Sequence, residues 1–376
     1  MTSNIPSNVV TFAGGEANLG IYKAFKDYWN QYRSMNGKTG LSFSTTTQND
    51  KGEVVPVSFD EKEALMNAAL KREILRQAGI ANVDAFPLET WASHPTLKWA
   101  TFAVVSALID VILPETIIDS VGMYADISTI GFGDSAAYNV TPRDLFIVSK
   151  AGHGKRTTEI HKQFQGQVVI NPEFHELTVG VSLYRVLTGA ESLASFTMKA
   201  VRSLETAFTV DVYAAFAAAM ANLSTTGDAT LQVAGFTQAA FTTLAQKVQA
   251  YNNAAPVAIG TKRALANILP ANGNYRYDVE SSLVKVGYIK EFLGVSIVEL
   301  PQVAAWASPF TLALSDSYIW IVSPSANKLV KGVLEGSTLS YTSDPYSSAL
   351  LVQNTTLTKS WGVGIASNAI GAVISV

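Results

Sequence analysis

Histidine is scarce in this chain, with 4 among 376 residues. Three of them, His153, His161 and His175, fall in one region with strand character. Imidazoles are common zinc ligands, and a metal centre needs several of them to converge. His161 and His175 have no helical spacing, and His153 sits at a glycine turn, so exposed strand histidines are the plainer reading. His175-Glu176 opens the H-E-x-x-H pattern, but Val179 stands where the second ligand belongs. Gly131-Phe132-Gly133-Asp134-Ser135-Ala136 matches the loose G-x-G-x-x-A fingerprint, which requires a helix to start there and face a pyrophosphate. Pro142 and strand-forming residues follow instead, so a glycine hinge is expected. Gly152-His153-Gly154-Lys155-Arg156 superficially resembles a phosphate loop. Ser149 takes the place of its first glycine, and Arg156 that of the hydroxyl that would hold magnesium. Asp134 and Asp144 read as ordinary solvated acids, and no G-x-S-x-G is present. No catalytic, cofactor-binding or metal-binding residue is assigned, and no cofactor is expected.

What remains of that region is mechanical. From Arg143 to Val181 the chain alternates apolar and polar residues and turns at Ala151-Gly152-His153-Gly154. A two-stranded ribbon of this kind is marginal alone in water. Its apolar residues Phe146, Ile147, Val148, Ile160 and Phe164 call for cover by a neighbouring chain. Lys150, His153, Lys155, Arg156, Glu159 and Lys162 are then the candidate intersubunit contacts, a mostly basic tip meeting an acidic patch. Behind the ribbon runs a long alanine-rich helix, Gly189 to Leu223. It places Leu193, Phe196, Ala200, Leu204, Phe208, Val212 and Phe216 on one face. About 30 residues at 1.5 Å each make a strut of roughly 45 Å. Leu204, Phe208 and Phe216 are its expected core residues.

Composition agrees with a chain made to lie against others. Hydrophobic residues are 48% and charged residues 15%, against a usual charged share of about a quarter. The net charge of -3 excludes a strongly basic nucleic-acid binder. The absence of cysteine removes disulfides and thiolate chemistry. The opening MTSNIPSNVV lacks the pattern of a signal peptide. Trp99 to Leu113 is apolar but broken by Asp110, which predicts a buried helix rather than a membrane span.

The remaining segments read as mixed α+β. Asn18 is placed to cap a helix bearing Ile21, Phe25 and Trp29. Lys38 to Phe59 reads as extended. A helix from Asp60 to Gly79 shows Leu65, Ala69, Ile74 and Leu75 on one face, and another runs from Pro95 to a stop at Pro114. Phe174, Leu177, Val179, Val181 and Leu183 suggest a half-buried strand. A polar loop at 224–228 marks a boundary, followed by a helix over Phe236–Tyr251. Ala255–Ile259 reads as a strand and Lys262–Leu269 as a helix. Strands are expected at Leu293–Leu300, Tyr318–Val322, Leu329–Leu334, Leu350–Leu357 and Trp361–Val376.

In order and type these parts resemble the major capsid protein of tailed bacteriophages, the Hong Kong 97-type shell fold. GAESLASFTMKAVRSLETAFTVDVYAAFAAAMANL is similar to its spine helix, and Gly131 to Asn171 to its extended loop (E-loop). PVAIGTKRALANIL and YIKEFLGVSIVELPQV are similar to elements of its axial domain. TLTKSWGVGIASNAIGAVISV is similar to its last peripheral-domain strands. The resemblance implies an N-terminal arm over 1–116, mostly helical, then an extended loop with flanking strands over 117–184. It places the spine helix of the peripheral domain at 185–224, an axial domain at 225–339 and C-terminal peripheral strands at 340–376. It implies a structural protein, not an enzyme, that self-assembles through hexamers and pentamers into an icosahedral head shell around phage DNA. Expected partners are other copies of the chain, a portal, scaffolding or decoration proteins, and weakly the packaged DNA, with no membrane. Assembly would occur in the host cytoplasm and end in the virion capsid. Relatives that crosslink a lysine to an asparagine offer no motif that singles out Lys150, Lys155 or Lys162. An encapsulin-type nanocompartment and an unrelated α+β enzyme are the alternatives.

Overall fold

The fold is that of a computed structural model, which describes residues 5–33, 46–48, 54–56, 59–80, 87, 94–122, 125–140, 165–181, 185, 191–221, 229–269, 285–305, 311–324, 327–342 and 353–376. The chain opens with three helices, α1 (Ser7–Ala13), α2 (Gly20–Arg33) and α3 (Phe59–Gln77), with a small hairpin of β1 (Thr46–Gln48) and β2 (Val54–Pro56) between the last two. The apolar stripe of α2 buries Tyr22, Phe25, Tyr28 and Trp29. Trp29 Nε1 donates to Thr116 Oγ1 at 3.1 Å, and Lys26 pairs with Glu115 at 2.7 Å. These helices are therefore built into the main core. Asn18 does not cap α2: its Nδ2 donates back to Ala13 O, closing the turn after α1. On α3 the buried stripe runs through Met66, Leu70 and Ile74, one step away from Leu65, which is 67% exposed.

Helix α4 (Pro95–Val121) passes straight through Pro114. Proline removes one helical hydrogen bond at a cost of about 3 kcal/mol. Leu113, Ile117 and Val121 are all buried on the continuing stripe, each contributing about 1.5–3 kcal/mol. Packing outweighs the break, so the helix does not stop there.

Two sheets follow. β3 (Ala125–Ile130) leads through a turn into a ribbon of β4 (Ala136–Val140) and β5 (Gly166–Ile170), and β6 (Glu173–Val181) comes next. Helix α5 (Leu193–Ala221) is 29 residues long. β7 (Gln232–Ala234), α6 (Gln238–Asn252), β8 (Val257–Gly260), α7 (Lys262–Leu265), β9 (Glu291–Phe292) and β10 (Val295–Glu299) then build the second unit. The remaining strands are β11 (Ala304–Ala305), β12 (Thr311–Leu312), β13 (Tyr318–Val322), β14 (Val330–Thr342), β15 (Gln353–Ile365) and β16 (Ala372–Ser375). One sheet has four strands in the order β3-β14-β15-β6. The other has six in the order β7-β16-β13-β8-β10-β9. The six-stranded sheet carries its own core of Phe241, Leu244 and Val248 from α6 with Ile319, Ile321 and Ile374.

Several expectations are corrected. Leu293 is not strand: with Gly294 it forms the tight turn between β9 and β10, both at positive φ, as two-residue hairpin turns require. Thr358-Lys359-Ser360 does not separate two strands but lies inside β15, buried. The boundary drawn at 339 falls within β14, and β16 leaves the four-stranded sheet for the six-stranded one. Phe174 faces away from Leu177 and Val179, because alternate residues of a strand point to opposite faces.

Candidate assembly surface

Helix α5 joins the two sheets. Phe208 is fully buried and meets Trp361 of β15 edge-on at 6.0 Å. Gly332 of β14 makes room for it: a Cβ there would lie 2.9 Å from the Phe208 ring. Two turns on, Phe216 stacks on Trp320 of β13 at 5.2 Å, and Tyr213 leans on the same indole at 4.7 Å. The Tyr213 hydroxyl donates to Ser315 O at 2.7 Å, and burial, then the nearby Asp316 carboxylate, push its pKa up to about 12. Leu204, Phe208 and Phe216 are all buried. An aromatic edge contact adds about 0.5–1.5 kcal/mol beyond area burial.

Asp110 of α4 forms a second junction that the sequence pattern did not reveal. Its carboxylate accepts from Thr338 N at 2.9 Å, Thr338 Oγ1 at 2.6 Å, Lys359 Nζ at 3.0 Å and Asn8 Nδ2 at 3.0 Å. Lys359 is 3% exposed in its side chain and also donates to Gly336 O at 2.7 Å. A buried charge is tolerated only when paired and hydrogen-bonded, and both conditions hold. The ladder between β14 and β15 shifts register between Glu335 and Leu339. That bulge turns the Thr338 N–H toward Asp110. One acid within the apolar run Trp99 to Leu113 and one lysine inside TLTKSWG were the signals available.

On the opposite face of the four-stranded sheet stands the root of the β4–β5 ribbon. Tyr138 Oη and Ser128 Oγ share a hydrogen bond of 2.7 Å. Ile170 lies on Gly362 and Gly364, where an added Cβ would come within 2.9 Å of its side chain, and at Gly362 within 2.8 Å of Asn171 O. The turn before β4 is tied down by Glu335, which accepts from Gly133 N at 2.6 Å. The 131–136 motif therefore opens no helix and is a turn, with Gly133 at φ 82°.

Lys150, His153, Lys155, Arg156, Glu159 and Lys162 lie outside the described residues, as does His161. His175 stacks flat on Trp361 at 3.7 Å, and its Nε2 is 3.4 Å from Asp211. Trp361 Nε1 donates to the same carboxylate at 2.8 Å. His175 thus links β6 to α5. Among the described residues no cluster of acids and histidines has metal-binding geometry.

A long buried helix bridging two sheets, with a ribbon rising from one of them, gives the described residues a mixed α+β architecture. The family model described as "SPbeta prophage-derived putative capsid protein YonB" matches residues 43–373. The chain belongs to that family. Its role is that of a major capsid shell protein, a component of the virion. No curated protein matches it in sequence. Among solved structures it is similar to the mature capsid of bacteriophage PhiM1, at 11% identity and a TM-score of 0.44, covering 67% of this chain and 85% of that one. The capsid of a native GTA particle gives 13% identity and 0.44, covering 70% and 91%. A virus-like particle from Pyrococcus furiosus gives 13% and 0.38, covering 70% and 97%.

Proposed function

We propose that this chain assembles with copies of itself, through pentamers and hexamers, into an icosahedral head that encloses phage DNA. The observation that carries the reading is the match to a capsid family over residues 43–373. The ribbon rooted on the sheet's outward face supports it, since β4 and β5 pair only with each other among the described residues. In this reading α4, α5 and the four-stranded sheet act as the peripheral domain, and the six-stranded sheet as the axial domain. Lys150, His153, Lys155, Arg156, Glu159 and Lys162 belong to the ribbon that reaches a neighbouring subunit. Portal, scaffolding and decoration proteins are further partners. Contact with DNA is weak, in keeping with the net charge of -3. Assembly takes place in the host cytoplasm.

Electron microscopy of purified chain, with nuclease protection of its contents, tests the reading. Closed shells of uniform size are expected. Elution only as a small oligomer at every concentration would sink it. Deleting Ser149 to Thr158 is expected to leave a folded subunit that does not form shells.

A further inference from the structure

We infer that the buried pair of Asp110 and Lys359 is a register lock, which selects one of two pairings that β14 can make with β15.

The two strands pair in two blocks. Val330 to Glu335 lie opposite Ile365 to Ser360, and Leu339 to Thr342 opposite Thr358 to Thr355. Between the blocks Gly336, Ser337 and Thr338 stand opposite Lys359 alone, a bulge with two extra residues on β14. Without it the outer block would slide two residues, about 7 Å, along β15. Leu339 would then take the place of Tyr341 opposite Thr356. A slip of one residue turns every side chain to the wrong face, and the core rejects it. A slip of two keeps every side chain on its own face, so the alternation of apolar and polar residues does not tell the two pairings apart. Neighbouring strands do not decide either. The inner block is held on its other side by β3, from Val330 on Ala125 to Glu335 on Ile130. The outer block pairs only with β15 among the described residues.

A bulge takes backbone groups out of the ladder, and buried ones need other partners. The ion pair supplies them. Lys359 Nζ donates to Gly336 O at 2.7 Å. Asp110 accepts from Thr338 N at 2.9 Å and from Thr338 Oγ1 at 2.6 Å. Gly336 itself has φ 47°, a conformation that favours glycine. The first and last residues of the bulge are thus each bound to one member of the pair, and Asp110 stands on α4, outside both strands. In the slid pairing Thr338 would stand opposite Leu357, away from Asp110. Buried ion pairs add little net stability over apolar residues of similar size, and fixing register is their best-attested use.

The chain has no cysteine, so paired cysteines report the register in the full-length protein. Tyr341→Cys with Thr356→Cys sets two thiols opposite each other in the bulged pairing. Leu339→Cys with Thr356→Cys does so in the slid one. Opposite residues are within disulfide reach, whereas diagonal neighbours, at about 7–8 Å, are not. Oxidised glutathione is expected to close the first pair at least about tenfold faster than the second. With Asp110→Leu and Lys359→Met added, the chain is expected to fold by circular dichroism and to close the second pair at least about tenfold faster than before. A folded variant that still closes only the first pair overturns the lock. Fast closure of the second pair while Asp110 and Lys359 are present overturns it too. A further measurement needs no variant at all. In residue-resolved hydrogen exchange of the unaltered chain, the Thr338 amide is expected to exchange no more than about tenfold faster than that of Leu334 in the inner block. Faster exchange would show that the bulge opens by itself, and the pair would then lock nothing.

Discussion

The two faces of the four-stranded sheet are built from the same strands and differ in almost every other respect. The helix-facing side of β15 carries Leu357, Lys359 and Trp361, all buried and each engaged with α4, α5 or the core they share. The outward side carries Thr358, Ser360, Gly362 and Gly364, all small, with Asn171 over Gly362 and Ile170 over both glycines. Bulky, fully paired side chains hold the subunit together. Small ones let backbone approach closely. The period of two in a strand assigns both jobs to one stretch of sequence.

The sharpest break of the inner side is Asp110→Ala. It leaves the Lys359 ammonium and the Thr338 amide buried without their acceptor, and removal of one partner of such a pair costs about 3–5 kcal/mol. Urea unfolding should show that loss. A change under about 1 kcal/mol would mean that the pair is solvated in solution.

A matched pair of glycine variants separates the faces. Gly332→Ala pushes into the Phe208 ring on the inner side and Gly362→Ala into Asn171 O and Ile170 on the outer side. Overpacking costs about 1–3 kcal/mol in each. Gly332→Ala should lower the melting temperature while leaving the ribbon's hydrogen exchange unchanged. Gly362→Ala should speed exchange in β4 and β5 and impair assembly. Identical behaviour of the two would erase the distinction.

Tyr213→Phe addresses the junction with the six-stranded sheet. Loss of the bond to Ser315 O should cost about 0.5–1.5 kcal/mol at neutral pH. The raised hydroxyl pKa stabilises the fold fully below the unfolded value near 10. That contribution is lost as pH rises toward about 12, because the folded state then holds a proton the unfolded state has released. Burial also raises the Tyr22 and Tyr28 hydroxyls, so the wild type should weaken steeply in alkali. Tyr213→Phe should weaken less steeply over that window. Parallel curves would remove Tyr213 from the account.

The smallest effect belongs to the surface of the helical layer. Lys26→Ala breaks a half-exposed pair with Glu115 and should change stability by less than about 1 kcal/mol. A larger loss would show that surface charge helps hold α2 on α4.

The sequence by itself determined the long helix, its buried Leu204, Phe208 and Phe216, the mixed α+β class and strand Tyr318–Val322. These rest on local periodicity and on apolar residues frequent enough to show it. Tertiary structure decided the rest. Pro114 stays helical because Ile117 and Val121 find a core that local rules do not register. The polar run Thr358-Lys359-Ser360 is strand because Asp110, far off in sequence, supplies the acceptor Lys359 needs. Phe174 points outward because the pairing of β6 with β15 fixes its face. The glycines of WGVGI are the floor on which Ile170 rests. Apart from the alternation that already sets Phe174 opposite Leu177, each depends on partners brought together only by folding, so local periodicity carried no signal of them.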